Sequence, residues 1–402
     1  MNLIEKSKNY LNTLCNEIEN RSVGSKGNLE ATNFFKGEIE KFSWLTEIQK
    51  FEAMDWETEG VELTCDNNIF SASASPYSTG CNETGQLVCI NEIEAFKETD
   101  TKDKIVLLYG NIAKEQLMPK NFMFYNPDEH KEIVAALENS GAKTIITATG
   151  RNSALAGGMY PFPMIEDGDF NIPSIYMTEE EGLKLKKLDG KFITVNSNAK
   201  RIQSVGYNVI GTKGINEDKR IVITAHIDAK KNSPGAIDNA TGVIILLLLA
   251  ELLKDYNSDT MLELVAFNGE DYYAVPGQMA YISEKQNQFN TILCNINIDG
   301  AGYFDGPSSI SFYELPNHLE RKIKIFIQDS DELFEGNQWV QGDHSIFVQH
   351  KVPAIAITSE WFLNNMETQT VTHTPKDNAR IVDCEKLVNV ACCLKKIIEY
   401  VQ

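Results

Sequence analysis

Five short polar clusters in the second half of the chain carry residue types suited to metal-assisted chemistry, and each follows an apolar run. After Arg220-Ile-Val-Ile-Thr-Ala225 comes His226-Ile-Asp228, and a loop leads on to Asp238-Asn239. The run 261–267 ends in Asn268-Gly-Glu270-Asp271, the run 291–298 in Asp299-Gly-Ala-Gly302, and past the run 354–357 stands Thr372-His373-Thr-Pro-Lys-Asp377. Imidazole and carboxylate are donors that zinc takes from proteins, and two ions about 3.5–4 Å apart need one carboxylate able to bridge them. Two such ions bring four positive charges. A bridging and two terminal carboxylates offset most of that charge, and the remainder stabilises hydroxide at neutral pH. Glu270, beside Asp271, is placed to take the proton from that water. A single acid after a strand is more often a helix cap; the chemistry is read from the set.

The elements that must position these clusters alternate regularly from about residue 203. Apolar strands are expected at 208–211, 220–224, 261–267, 291–298 and 354–357, with helices at 239–253, 277–285, 319–327 and 384–400. This alternation predicts an α/β fold, a mostly parallel mixed sheet sandwiched by helices, which binds ligands beyond the carboxyl ends of its strands. Upstream, helical spacing marks residues 3–20 and 29–42, the second with Asn28 as its expected N-cap. Between them and the α/β region lies a self-contained β-rich block without a catalytic constellation. It has strands at 104–110, 143–148 and 173–177, a helix at 130–140, and one histidine, His130, read as a solvated helix residue.

The 402 residues carry a formal net charge of -20, which argues against a nucleic-acid partner because phosphate binding needs a clustered basic face. Residues 242–253, the most hydrophobic run, are too few to span a bilayer and include Glu251, so no membrane partner is expected. The start, Met1 to Tyr10, is charged from its fifth residue and lacks the apolar core of an export signal. A cytoplasmic protein is expected, or a secreted one whose signal has been removed. Eight scattered cysteines without a Cys-x-x-Cys pair read as reduced core thiols, with Cys81 and Cys89 able to bridge only in an oxidising compartment.

On these motifs the region 203–402 resembles the co-catalytic zinc peptidase family that includes the bacterial leucyl aminopeptidases, glutamate carboxypeptidase and glutaminyl cyclase. Residues 21–35, Arg-Ser-Val-Gly-Ser-Lys-Gly-Asn-Leu-Glu-Ala-Thr-Asn-Phe-Phe, are similar to that family's N-terminal turn and helix. The β-rich block resembles a protease-associated domain through its strand at 104–110, Asn139-Ser-Gly-Ala-Lys143 and Ile172-Pro-Ser-Ile-Tyr-Met177. The implied organisation is a catalytic zinc peptidase domain, 1–55 and 203–402, with 56–202 inserted. Position by position, the resemblance implies that His226 and Asp299 bind one zinc, that Asp271 and His373 bind the other, and that Asp238 bridges them. It gives Glu270 the place of general base. Asp228 takes that of the acid orienting a ligand histidine, and Asp377 acts similarly near His373. It further implies a cis peptide after Asp238 and places Gly342-Asp343-His344 near the substrate pocket. Trp339, Trp361 and Phe362 are candidates for lining a side-chain pocket and equally for core or rim packing.

Two departures stand out. The family usually has two glutamates where this chain has Glu270-Asp271, which shortens the second ligand by a methylene. A tyrosine common before the final histidine is replaced by Thr372, leaving the oxyanion donor unassigned. The expected activity is that of a zinc-dependent exopeptidase, an aminopeptidase acting on peptide substrates with two zinc ions per chain; cobalt or manganese suits the same donors. The alternatives are a glutaminyl cyclase, which works with one zinc, a carboxypeptidase, which needs clustered arginines for acidic residues, and a receptor-like binding protein that has lost the chemistry.

Overall fold

The computed structural model describes residues 1–122, 126–149, 163–328, 332–366 and 369–401. The chain divides into two compact units, one of Met1–Ala53, Val205–Met366 and Val371–Gln402, the other of Met54–Ser204 with Glu367–Thr370.

In the first unit the sheet runs, in spatial order, Leu333–Glu335, Ser308–Tyr313, Ala354–Ser359, Ile292–Ile298, Asn216–His226, Thr260–Phe267 and the 209–213 part of Phe192–Lys213. The four central strands are mutually parallel. Antiparallel neighbours flank them at Ser308–Tyr313 and at 209–213. Short apolar runs bounded by helices form such strands because both of their faces are covered. The helix Thr241–Leu252 shows why one face is so well covered: it is buried from Thr241 to Ala250, apolar on every side, and anchors the main core. The helices Leu3–Asn12, Lys26–Glu40 and Cys384–Val401 pack around it. The opposite face is closed by Pro276–Lys285 and His344–Gln349, joined through Phe267, Tyr281, Phe289 and Phe347.

Two strands of this sheet, Ser308–Tyr313 and Leu333–Glu335, had no counterpart among the expected elements. The first mixes serines with apolar residues because its serines lie buried within the sheet, which obscures both hydrophobic periodicities. Asn28 is not an N-cap: the helix begins at Lys26, and Ser25 Oγ accepts the Asn28 N–H at 3.1 Å. The Asn28 side chain is thereby free for the contacts described below.

The second unit has its own sheet, with Cys81–Ile90, Ile105–Leu108, Thr144–Thr149 and Ser174–Thr178 parallel in that order. Apolar clusters cover it, one of them beneath the helix Asp128–Asn139. His130 is a correction to the expected solvated residue: it is 5% exposed, and its Nδ1 accepts the Met118 N–H at 3.0 Å. It shares the inward helical stripe of Ile133, Val134 and Leu137, and burial follows from that spacing. All eight cysteines are free thiols, Cys81 and Cys89 included. Among the described residues no helix is long and apolar enough to cross a membrane.

Candidate metal centre

The strand Asn216–His226 lies between Ile292–Ile298 on one side and Thr260–Phe267 on the other. The chain leaves it toward Thr260–Phe267 and then crosses back to Ile292–Ile298, so strand order reverses beside it. A crevice opens at the carboxyl ends of strands at such a point. Thr224 pairs with Asn297 in the parallel register, which brings His226 and Asp299 to adjacent strand ends.

Five expected ligand residues converge there. His226 Nε2 stands 3.2 Å from Asp238 Oδ1 and 3.6 Å from Asp299 Oδ1. His373 Nε2 stands 3.2 Å from Asp238 Oδ2 and 3.0 Å from Asp271 Oδ1. They form two donor groups able to hold a metal ion, His226–Asp238–Asp299 and Asp238–Asp271–His373, each with its donor atoms within 4.8 Å of one another. Asp238 belongs to both and offers each a different oxygen. His226 Nε2 and Asp271 Oδ2 are buried and make no hydrogen bond of acceptable geometry among the described residues. Orphaned donors of these types, aimed into a cluster of carboxylates, fit a divalent cation. The shorter Asp271 reaches the cluster: its carboxylate lies at the distance from His373 just given.

The backbone around these side chains is bent to suit. The Asp238–Asn239 peptide is cis. His373 has φ 60°, a left-handed conformation that costs a non-glycine residue about 1–3 kcal/mol and persists where the surroundings enforce it. Asp377 provides part of that enforcement, but for Asp238 rather than for His373 as expected. Its Oδ1 accepts the Ile237 N–H at 2.7 Å and its Oδ2 the Asp238 N–H at 3.1 Å. Asp228, 1% exposed, also does more than orient a histidine. Its carboxylate accepts the Gly269 N–H at 2.7 Å and the Asp271 N–H at 3.1 Å, holding the turn that carries Glu270 and Asp271. His226 Nδ1 lies 3.3 Å from Asp228 O and 3.7 Å from Asp228 Oδ1. A proton on Nδ1 directed to either leaves the Nε2 lone pair facing the cluster, as a ligand requires.

A second scaffold was not legible as such in the sequence. The Asn268 side chain accepts from Asn28 Nδ2 and donates to Thr32 Oγ1 at 3.0 Å. Its main-chain N–H donates to Asn208 Oδ1 at 2.9 Å, and Asn208 Nδ2 in turn donates to Gln49 Oε1 and Gly277 O, both at 2.8 Å. Arg21 contributes a buried guanidinium to the other ligand-bearing loop. The signal available beforehand was the presence of polar residues at otherwise core-facing helix positions, of which Asn28 and Thr32 are two.

The electrostatics point the same way. Burial disfavours charging His226, but the carboxylates of Asp299, Asp228 and Asp238 outweigh it and raise its pKa well above the usual imidazole value. His373 is raised likewise by Asp271 and Asp238 against burial. Burial would push Asp238 up, yet the two imidazoles hold it well below the ordinary carboxylate range. Glu270 is raised, first by burial and then by Asp271, Asp299 and Asp343, with His226 opposing. So many acids in one pocket call for cations, and without a metal the imidazoles are the groups that supply them.

The Gly342-Asp343-His344 segment lies beside this cluster, since a Cβ on Gly342 would sit 3.3 Å from Asp299 Oδ2. Asp343 does not cap the helix it precedes; its Oδ1 accepts from Gln278 Nε2 at 2.8 Å, and burial lifts its pKa to about 7. His344, 1% exposed, is held between the rings of Tyr313 and Trp339, with Nε2 3.0 Å from Trp339 O. This is the place of a supporting residue. Burial lowers its pKa to about 4, so the ring is neutral and Nε2–H is the donor. Trp361 stacks on Tyr303 at 4.4 Å, and Tyr303 and Phe362 pack with Ile237, the residue before Asp238.

Known proteins share parts of this sequence and its fold. Residues 208–398 match the model of peptidase family M28. The chain is 27% identical over 270 residues to aminopeptidase YwaD of Bacillus subtilis (strain 168), an alignment covering 62% of this chain and 55% of that protein. The chain thus spans just over half the length of that relative. Among solved structures, the aminopeptidase from Aneurinibacillus sp. strain AM-1 superposes with a TM-score of 0.76 at 21% identity, covering 99% of this chain and 93% of that one. A zinc aminopeptidase from Bacillus subtilis gives a TM-score of 0.76 at 20% identity, covering 99% and 94%. These superpositions establish the fold, a large, mostly parallel mixed sheet flanked by helices.

Proposed function

From the match of residues 208–398 to the model of peptidase family M28, we propose that the chain is a zinc-dependent aminopeptidase of that family that releases N-terminal residues from peptides. The observation that carries this reading is the sharing of Asp238, whose Oδ1 faces His226 and Oδ2 faces His373 at 3.2 Å each. One carboxylate so placed would be shared by two ions, which His226 and Asp299 would hold on one side and Asp271 and His373 on the other. The names of the similar Bacillus proteins, an aminopeptidase and a zinc aminopeptidase, support the same assignment.

Zinc, when bound, supplies Lewis acidity to a water molecule and to the scissile carbonyl. Glu270 accepts the proton of the attacking water and delivers it to the leaving amine. Burial and neighbouring acids raise its affinity for that proton, which suits a group that must take it up from water. Asp228 and Asp377 hold the backbone amides of Asp271 and Asp238, so that the ligands do not reorganise during turnover. Burial of the cluster limits competing water. We assign residues 56–202, which fall in the second unit, as an inserted protease-associated-like module.

The test is end-group selectivity. Zinc-loaded protein is incubated with a peptide carrying a free N-terminus and with its N-acetylated form, and products are identified by mass. Stepwise loss of N-terminal residues from the free peptide alone is the expected result. Shortening from the C-terminus, or conversion of N-terminal glutamine to a cyclic product without hydrolysis, would replace this reading with one of its alternatives.

A further inference from the structure

Two arginines are buried in the first unit, and they are used differently. Arg220 pairs with a carboxylate, its Nη1 lying 2.9 Å from Glu263 Oε2, and adds bonds to Thr291 Oγ1 and Gln288 O at the start of the central strands. Arg21 is 2% exposed, and its guanidinium donates four hydrogen bonds to main-chain carbonyls. Nε donates to Ile227 O at 3.0 Å, Nη1 to Leu14 O and Pro234 O at 2.7 Å each, and Nη2 to Gly235 O at 2.8 Å. A charge taken out of water costs several kcal/mol unless good partners meet it, so its use here calls for a reason beyond packing.

The carbonyls supply the reason. Ile227 stands between His226 and Asp228, and Pro234-Gly235 leads directly into the turn that ends at Asp238. We infer that Arg21 is a positioning residue for the metal centre, its guanidinium fixing both ends of the loop from His226 to Asp238. The inference rests on reading His226 and Asp238 as metal ligands.

Three features of the loop agree. Gly235 is left-handed at φ 57°, and a Cβ there would lie 2.9 Å from Arg21 Nη2 and 2.5 Å from the Ala229 Cβ, so the loop is seated directly on the guanidinium. Arg21 O accepts the Ala229 N–H at 3.3 Å and Asn28 Nδ2 at 3.0 Å, and Asn28 also reaches Asn268. The N-terminal turn is therefore wired to the loop of His226 and Asp238 and to the turn of Glu270 and Asp271. Finally, a planar fork with five donors spans carbonyls on opposite sides of a loop, whereas a lysine ammonium offers a single point.

The experiment compares Arg21→Lys with Arg220→Lys in the full chain. Zinc affinity is measured by competition with a chromophoric chelator, and thermal stability is measured without zinc. Arg21→Lys is expected to bind zinc about 10–100-fold more weakly, the range typical of residues that orient ligands. Arg220→Lys is expected to lose stability with zinc affinity held within about twofold, because it braces the far ends of the strands. Where Arg21→Lys does not fold, Arg21→Met takes its place, since it leaves no buried charge. The inference is overturned if a folded Arg21 variant binds zinc as the parent does, if both arginine sites weaken zinc in proportion to lost stability, or if neither Arg21 variant folds. A parent protein that binds no zinc would instead overturn the metal centre itself and this inference with it.

Discussion

Asp238 presents one oxygen to His226 and the other to His373, so asparagine at this position replaces one acceptor with an amide nitrogen that repels a cation. Asp238→Asn is expected to lower zinc content from the proposed two ions per chain to one at most, as measured by elemental analysis after dialysis. Glu270→Gln is expected to behave in the opposite way, keeping its zinc while kcat falls by about 10²–10⁴-fold, the usual contribution of a general base. Retention of more than a tenth of the parent rate on a leucine anilide would remove Glu270 from that role. At this scale the sequence was most legible where a family resemblance could be read residue by residue: it named His226, Asp238, Asp271, Asp299 and His373, whose side chains are of types that bind zinc and converge in one crevice. What Asp377 holds was not legible, because its partners are the backbone amides of Ile237 and Asp238, 140 and 139 positions away in the chain. Arg21 was hidden for the same reason, since carbonyls leave no trace in residue identity.

The loops that carry the ligands depend on close backbone approaches between elements. Gly277 is the second residue of the helix Pro276–Lys285, and a Cβ there would lie 2.0 Å from Asn268 O and 2.6 Å from Asn208 Oδ1, the groups that seat the turn of Glu270 and Asp271. Gly277→Ala must displace that turn. The expected result is a weaker affinity for zinc together with a lower melting temperature; an unchanged zinc affinity would show that the turn is held independently of this helix. Leu247, in the wholly buried helix Thr241–Leu252, offers a contrast within the same unit. Leu247→Ala should cost about 2–5 kcal/mol of stability in denaturant titration through the cavity it leaves. The order of the central strands and helices was readable because apolar runs of strand length alternate with helical patterns. Ser308–Tyr313 escaped because its serines fall on both faces of a strand buried throughout, and Asn28 was misplaced as a cap because Ser25 begins the helix a turn earlier.

For the molecule as a whole, the centre couples metal binding to protons. In the metal-free chain the carboxylates around His226 and His373 raise both imidazoles well above their ordinary value, so each holds its proton more tightly and a metal must displace it. Zinc binding should therefore release about one proton per ion and weaken as pH falls, which calorimetry in buffers of different ionisation enthalpy will show. Uptake of protons, or none exchanged, would mean that these imidazoles are not the ligands. His344 has the opposite sign. Its folded pKa of about 4 lies below the unfolded value of about 6.5, so the unfolded chain binds the extra proton and the stability from this group is lost as pH falls from about 6.5 to 4. Burial also raises the Asp343 carboxyl to about 7, which favours the folded chain toward acid and opposes that slope. Replacing His344 by glutamine should accordingly tilt the stability profile toward greater relative stability at acid pH, as followed by thermal melts across the range. The central claim is a two-zinc hydrolytic centre built on Asp238, and its most direct measurement is a zinc titration of chelator-stripped protein with peptide hydrolysis followed in parallel. Two equivalents bound per chain, with hydrolysis absent before zinc and restored by it, is the predicted result. Full hydrolysis by the stripped protein, or saturation without two ions bound, would contradict it.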